Sequence, residues 1–160
     1  MREIRIYSIF VMLLLGLVSC EKGRTTTTSK SGIDGEWKLE SYYGADAGSS
    51  AVPAEVYINF SGGRFELFQK LGGGHFSRYS GTYSYDGEEV IGSYSDGQNW
   101  TSGYLVSFSD DGRMKLSQYV NDEEYACVYA RTSIPASVRK DASDFGKVRS
   151  SGVEETAPWL

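Results

Sequence analysis

The sequence predicts an all-β domain: an eight-stranded antiparallel up-and-down barrel with a short C-terminal helix. Three observations carry that expectation. Between residues 33 and 131, short runs rich in Tyr, Phe, Val and Ile recur roughly every ten residues, cut by clusters of Gly, Asp, Asn and Ser. Within several runs apolar residues alternate with others, as in Trp37/Leu39, Val56/Ile58/Phe60, Phe65/Leu67, Tyr104/Val106/Phe108 and Met114/Leu116, the period of a strand with one buried face. The connections also alternate in length, and helical periodicity is absent from the region.

Residues 1–19 open the chain with a short basic start, Met1-Arg-Glu-Ile-Arg5, and a mostly apolar run from Ile6 to Val18. That run suits a signal peptide and is shorter than the ~18–20 residues of a spanning helix. It ends in Leu17-Val18-Ser19-Cys20, which resembles the lipobox of bacterial lipoproteins. The resemblance implies cleavage before Cys20 and acylation of its thiol. Each buried methylene adds ~0.8 kcal/mol of membrane affinity, so several chains hold where one would not. The expected location is the cell envelope, at the outer membrane on its periplasmic or surface face, with the membrane as partner through the anchor. With Cys20 lipidated, as that resemblance implies, the two cysteines are expected to form no disulfide, and Cys127 reads as a small side chain in the last strand. Residues 20–32 comprise this cysteine and a tether without apolar periodicity, Glu-Lys-Gly-Arg-Thr-Thr-Thr-Thr-Ser-Lys-Ser-Gly.

The barrel domain, residues 33–131, holds eight expected strands at about 35–43, 55–60, 64–70, 76–85, 89–94, 103–109, 113–119 and 124–131. The second, fourth and sixth connections are tight: Ser61-Gly-Gly63, Asp86-Gly-Glu88 and Asp110-Asp-Gly112. The others, 44–54, 71–75, 95–102 and 120–123, read as longer. In an up-and-down order this gives a cup, closed by minimal hairpins at one end and carrying the larger loops at the other. Gly35-Glu36-Trp37 opens the first strand and Arg131 ends the last, both at the closed end.

Gly35-Glu-Trp37 resembles the Gly-x-Trp signature of lipocalins, and Arg131 stands where that family sets a basic side chain over the tryptophan. The Thr-Asp-Tyr signature of the animal lipocalins is missing. Gly35-Glu-Trp-Lys-Leu39, Phe65-Glu-Leu-Phe-Gln-Lys-Leu-Gly72, Ser80-Gly-Thr-Tyr83, Tyr94-Ser-Asp-Gly97 with Trp100, and Ile134-Pro135 with Val138 are similar to lipocalin-like lipoproteins of Gram-negative gut bacteria. The resemblance implies the barrel fold, with Trp37 and Arg131 closing its floor.

Residues 132–160 begin with a short helix carrying Pro135 in its first turn. They end in Ala157-Pro-Trp-Leu160, which either docks on the barrel or frays.

The formal net charge is −5, with both signs interspersed, and becomes one unit more negative once Arg2, Arg5 and Glu3 leave with the signal. Nucleic acid is thereby excluded as a partner, for want of a basic face. No metal, cofactor or catalytic constellation is expected: His75 is the single histidine, and the carboxylates cluster in turns. The function expected is non-enzymatic binding of a small hydrophobic or amphipathic ligand. Counting in phase with Trp37 and Arg131 points Tyr43, Tyr125, Cys127 and Tyr129 inward, and sets Tyr94, Tyr104 and Gln118 near the open end; Tyr79 joins them on a strand of ambiguous phase. Trp100, in the 95–102 connection, is either a gate beside a mobile 44–54 lid or an anchor pinning its own loop. An eight-stranded barrel is only just wide enough for its own side chains. The alternative is therefore a filled barrel in a protein-interaction or envelope-structural lipoprotein.

Overall fold

The computed structural model describes residues 32–44, 47–50, 54–71, 74–144 and 160. The signal at 1–19, Cys20, the tether up to Ser31 and most of the C-terminal tail lie outside the described residues. The elements are β1 (Gly35–Gly44), β2 (Ala47–Ser50), β3 (Ala54–Ser61), β4 (Arg64–Leu71), β5 (Ser77–Tyr85), β6 (Glu89–Tyr94), β7 (Tyr104–Phe108), β8 (Met114–Val120), β9 (Glu123–Arg131), α1 (Ala136–Asp141) and β10 (Ser143–Asp144). Strands β5-β4-β3-β1-β9-β8-β7-β6 follow one another by antiparallel pairing, and β6 returns to β5. The ring is an eight-stranded antiparallel barrel. Two short strands lie outside it: β2 against β1, and β10 parallel to the start of β5.

Alternation does the sorting. Trp37 and Leu39 on β1, Val56, Ile58 and Phe60 on β3, Phe65 and Leu67 on β4, and Met114 and Leu116 on β8 are buried in one lumen cluster. Residues of the opposite phase on β3 and β4 build a second layer outside. There Tyr57 and Phe68 pack with Phe76, Ile134 and Val138, so that α1 covers that face. Arg139 fixes the helix, donating to Glu36 Oε1 at 2.7 Å and Glu66 Oε2 at 3.1 Å. Its guanidinium lies over the Phe68 ring at 5.4 Å. Pro135 occupies the helix N-cap, next to the expected first turn.

The hairpins at the closed end take the turns their residues favour: Gly62 and Gly63 (φ 55° and 80°) and Gly87 (φ 107°) sit in the left-handed region. Asp86 also accepts from the amides of Glu88 and Glu89 at 2.8 Å. One connection at the other end departs from expectation. The 120–123 link is not a longer loop: Val120 pairs with Glu123, and Asn121 and Asp122, at φ 52° and 65°, make a two-residue turn. Asparagine and aspartate tolerate this conformation better than other non-glycine residues. The remaining connections at that end are the longer ones.

The floor is built as the Gly-x-Trp pattern implies. Trp37 is fully buried and its indole N–H donates to Ile33 O at 2.8 Å. The Arg131 guanidinium stands 4.3 Å over the indole and donates to Asp34 O at 3.0 Å. Gly35 has φ 133°, and a β-carbon there would run into the Arg131 guanidinium, so the glycine both turns the chain and makes room for the cation.

Candidate functional site: the open half of the barrel

Above this floor tyrosines line the lumen. Tyr79 from β5, Tyr94 from β6, Tyr104 from β7 and Tyr129 from β9 belong to, or pack against, the same lumen cluster, with Phe65 from β4 between them. Phe65 meets Tyr94 edge-on at 5.6 Å between ring centres, and Tyr79 meets Tyr94 at 6.1 Å. Gln69, two strand positions beyond Leu67 and therefore on the same face, is buried and donates to the Tyr79 hydroxyl at 3.5 Å.

Trp100 reaches the lumen from its loop. The loop is tied down by Tyr94 N–H to Gln98 O at 2.7 Å, Ser93 Oγ to Asn99 Oδ1 at 2.6 Å and Trp100 N–H to Gly92 O at 2.9 Å. The indole lies on Gly92, where any β-carbon would collide with it. Gly92 thus opens the wall and Trp100 fills the gap, in edge contact with Phe65 at 5.0 Å and Tyr104 at 6.0 Å. At 5 % exposure Trp100 has the geometry of an anchor rather than of a residue on the rim.

Burial dominates the electrostatics. It pushes the Tyr104 hydroxyl up to about 12, helped by Cys127 and opposed by a hydrogen bond with Ser102. Burial raises Tyr94 and Tyr129 as well. All three phenols are neutral donors at physiological pH. Among the described residues the indole nitrogen of Trp100 is buried without a hydrogen-bond partner, and the fully buried Tyr129 hydroxyl has Cys127 beside it. An unmet buried donor costs about 1–3 kcal/mol.

Of the residues expected at the site, Tyr79, Tyr94, Tyr104 and Trp100 come together in the cluster. Gln118 lies beside it, accepting from the Ser102 hydroxyl. Tyr125 is half-buried opposite Gln118 and covers Gly44. Tyr43 does not face inward. Between Leu39 and Ser41, two residues of β1 advance against one of β9, from Tyr129 to Val128. This bulge reverses the phase beyond it. Tyr42 pairs with Cys127, and Tyr43 pairs with Ala126 and is 45 % exposed. The sequence reading missed Gln69, which continued alternation would have given; for Leu160 it left docking on the barrel and fraying open, and its place in the lumen has no local signal.

Comparison with known proteins follows the same lines. A family model described as a lipocalin-like domain matches residues 33–116. No curated protein matches the chain. Among solved structures, a lipocalin-like protein from Bacteroides uniformis ATCC 8492 is similar at 21 % identity and a TM-score of 0.49, over 62 % of this chain and 97 % of that one. An uncharacterized protein from Bacteroides eggerthii DSM 20697 is similar at 15 % identity and a TM-score of 0.45, over 61 % of this chain and 98 % of the other.

Proposed function

Because the chain belongs to the lipocalin-like domain family, we propose that it binds a small amphipathic or hydrophobic ligand in the open half of its barrel, as a lipoprotein held to the cell envelope through Cys20. One observation carries the ligand reading: neutral phenols and an indole N–H converge inside an apolar wall, and among the described residues that indole N–H has no acceptor. An apolar pocket with a few convergent polar groups is the usual form of a small-molecule site. The anchor reading rests on the lipobox-like Leu17-Val18-Ser19-Cys20. The reading is of a binder rather than an enzyme. Burial holds Tyr94, Tyr104 and Tyr129 away from ionisation, and a catalytic base works best with a pKa near the operating pH.

A second reading has the barrel filled and acting through its outer surface, as an interaction or envelope-structural lipoprotein. It is favoured by Ile91 and Leu105, 51 % and 43 % exposed on the adjoining strands β6 and β7. Native mass spectrometry of protein taken from its own envelope tests both. The expected species begins at an acylated Cys20 and releases a small molecule on denaturation. An unprocessed, unacylated chain would refute the anchor. An empty barrel that arrives with a protein partner would favour the second reading.

A further inference from the structure

Leu160, the final residue of the sequence, lies inside the barrel. Its side chain is 4 % exposed within the lumen cluster, and the Tyr94 hydroxyl donates to its main-chain oxygen at 2.5 Å. Every other buried member of that cluster comes from a barrel strand, from Ile33 just before β1, or from the Trp100 loop. Leu160 is therefore a guest in a wall that is complete without it.

Its route is short. β10 lies beside Ser77 and Arg78, at the open-end start of β5. Two residues further along β5, Ser80 O accepts from Ser95 N–H, next to Tyr94. A chain leaving Asp144 there spans up to about 50 Å before Leu160, at the ~3.3–3.6 Å per residue of extended backbone. Reach is no constraint.

We infer that Leu160 is the resident occupant of the lumen site, and that the ligands of this site share its chemistry: a branched apolar group joined to a carbonyl or carboxylate oxygen that accepts from Tyr94. The inference rests on the ligand-binding reading above. The phenolic wall surrounds the apolar part, and the Tyr94 hydroxyl, kept protonated by burial, supplies the donor. The unmet Trp100 indole nitrogen in the same cluster offers a second donor to a ligand with two acceptor oxygens. A ligand of this class binds by displacing Leu160, so its apparent affinity falls by the fraction of molecules whose site is open.

The test uses the full chain with ¹³C-methyl leucine, the variant Leu160→Gly, and 4-methylpentanoate as probe. The Leu160 methyl signals, identified by their loss in the variant, are expected at positions displaced by the surrounding rings. They should move to exposed-leucine values as probe is added. Leu160→Gly should bind the probe about ten-fold more tightly if Leu160 fills the site nine-tenths of the time. Tyr94→Phe should weaken the probe in both backgrounds while the other methyl signals keep their folded dispersion. Leu160 signals at exposed values before any probe is added would overturn the inference. Equal probe affinity for both chains would overturn self-occupancy and leave the ligand reading intact. Displaced Leu160 signals with no probe binding to either chain would overturn the ligand class. A small molecule retained in native mass spectrometry would then show that the ligand reading itself survives.

Discussion

At the closed end the Trp37 indole N–H donates to Ile33 O at 2.8 Å and its ring carries the Arg131 guanidinium. At the open end the Trp100 indole N–H meets no acceptor among the described residues, although the ring is almost as deeply buried. The two tryptophans have similar neighbours, Phe108 at 6.2 Å for one and Phe65 at 5.0 Å for the other. They differ in whether the polar atom is met. A region that only holds the fold together pairs its buried donors, since each one left over costs stability. A region that tolerates an unmet donor beside neutral phenols gives up stability at the place where a ligand could restore it.

The comparison can be broken at three places. The largest effect is expected at the floor. Trp37→Ala removes the fully buried indole beneath Arg131 and should lower unfolding free energy by about 3–5 kcal/mol. An unchanged denaturant midpoint would show that the closed end does not hold the barrel.

The second test is alkaline. The Tyr104 hydroxyl is raised in the folded protein from 10.0 to about 12, chiefly by burial. A raised folded value means that the native state keeps its proton longer than the unfolded chain. The contribution is therefore fully present below pH 10 and is lost as pH rises through about 12, on the order of 2 kcal/mol for this group. Tyr104→Phe should flatten this limb of the stability profile. An identical alkaline slope in wild type and variant would place the effect elsewhere.

The smallest effect belongs to the outer pin of the open end. Asp141 accepts from Phe76 N–H at 3.1 Å and sits 2.8 Å from His75 Nδ1. The His75 hydrogen bond leads in lowering its carboxyl below the usual 3.8, with the Phe76 amide next. A lowered folded value contributes stability above the unfolded pKa, which is lost as pH falls through the folded one. Asp141→Asn should slightly soften the acid limb between pH 4 and lower, read by thermal melts, and leave neutral stability nearly unchanged. A large loss at neutral pH would mean that the pin carries the fold.

The strands were legible because their alternation is local: a run such as Phe65-Glu-Leu67 states its buried face without reference to the rest of the chain. Gly35, Trp37 and Arg131 were legible because the up-and-down order puts the first strand's start beside the last strand's end, and Trp37 does pair with Arg131. Tyr43 was misplaced because the bulge before Ser41 carries no glycine or proline to announce it, and a one-residue slip reverses every later side chain. Asn121-Asp122 read as part of a longer loop because the strand ends on either side were set a residue short. Trp100 was found as a residue but not as a wall plug, since its seat depends on Gly92 eight positions away. The contact of Leu160 with Tyr94 spans 66 residues and leaves no trace in periodicity.

The two-residue strand β10 covers a strand edge that would otherwise be open. β6 pairs with β5 only from Gly81 to Tyr85, and Ser95 N–H donates to Ser80 O, so Ser77 and Arg78 would otherwise present open amides and carbonyls. Ser143 and Asp144 lie along that row, Ser143 N–H donates to Phe76 O at 2.9 Å, and Arg78 grips Asp144 at 2.6 Å. Unclaimed strand edges recruit one another, and this one is occupied from within the chain. Along Ser77 and Arg78 the backbone of β5 is therefore not free to pair with a neighbour's strand.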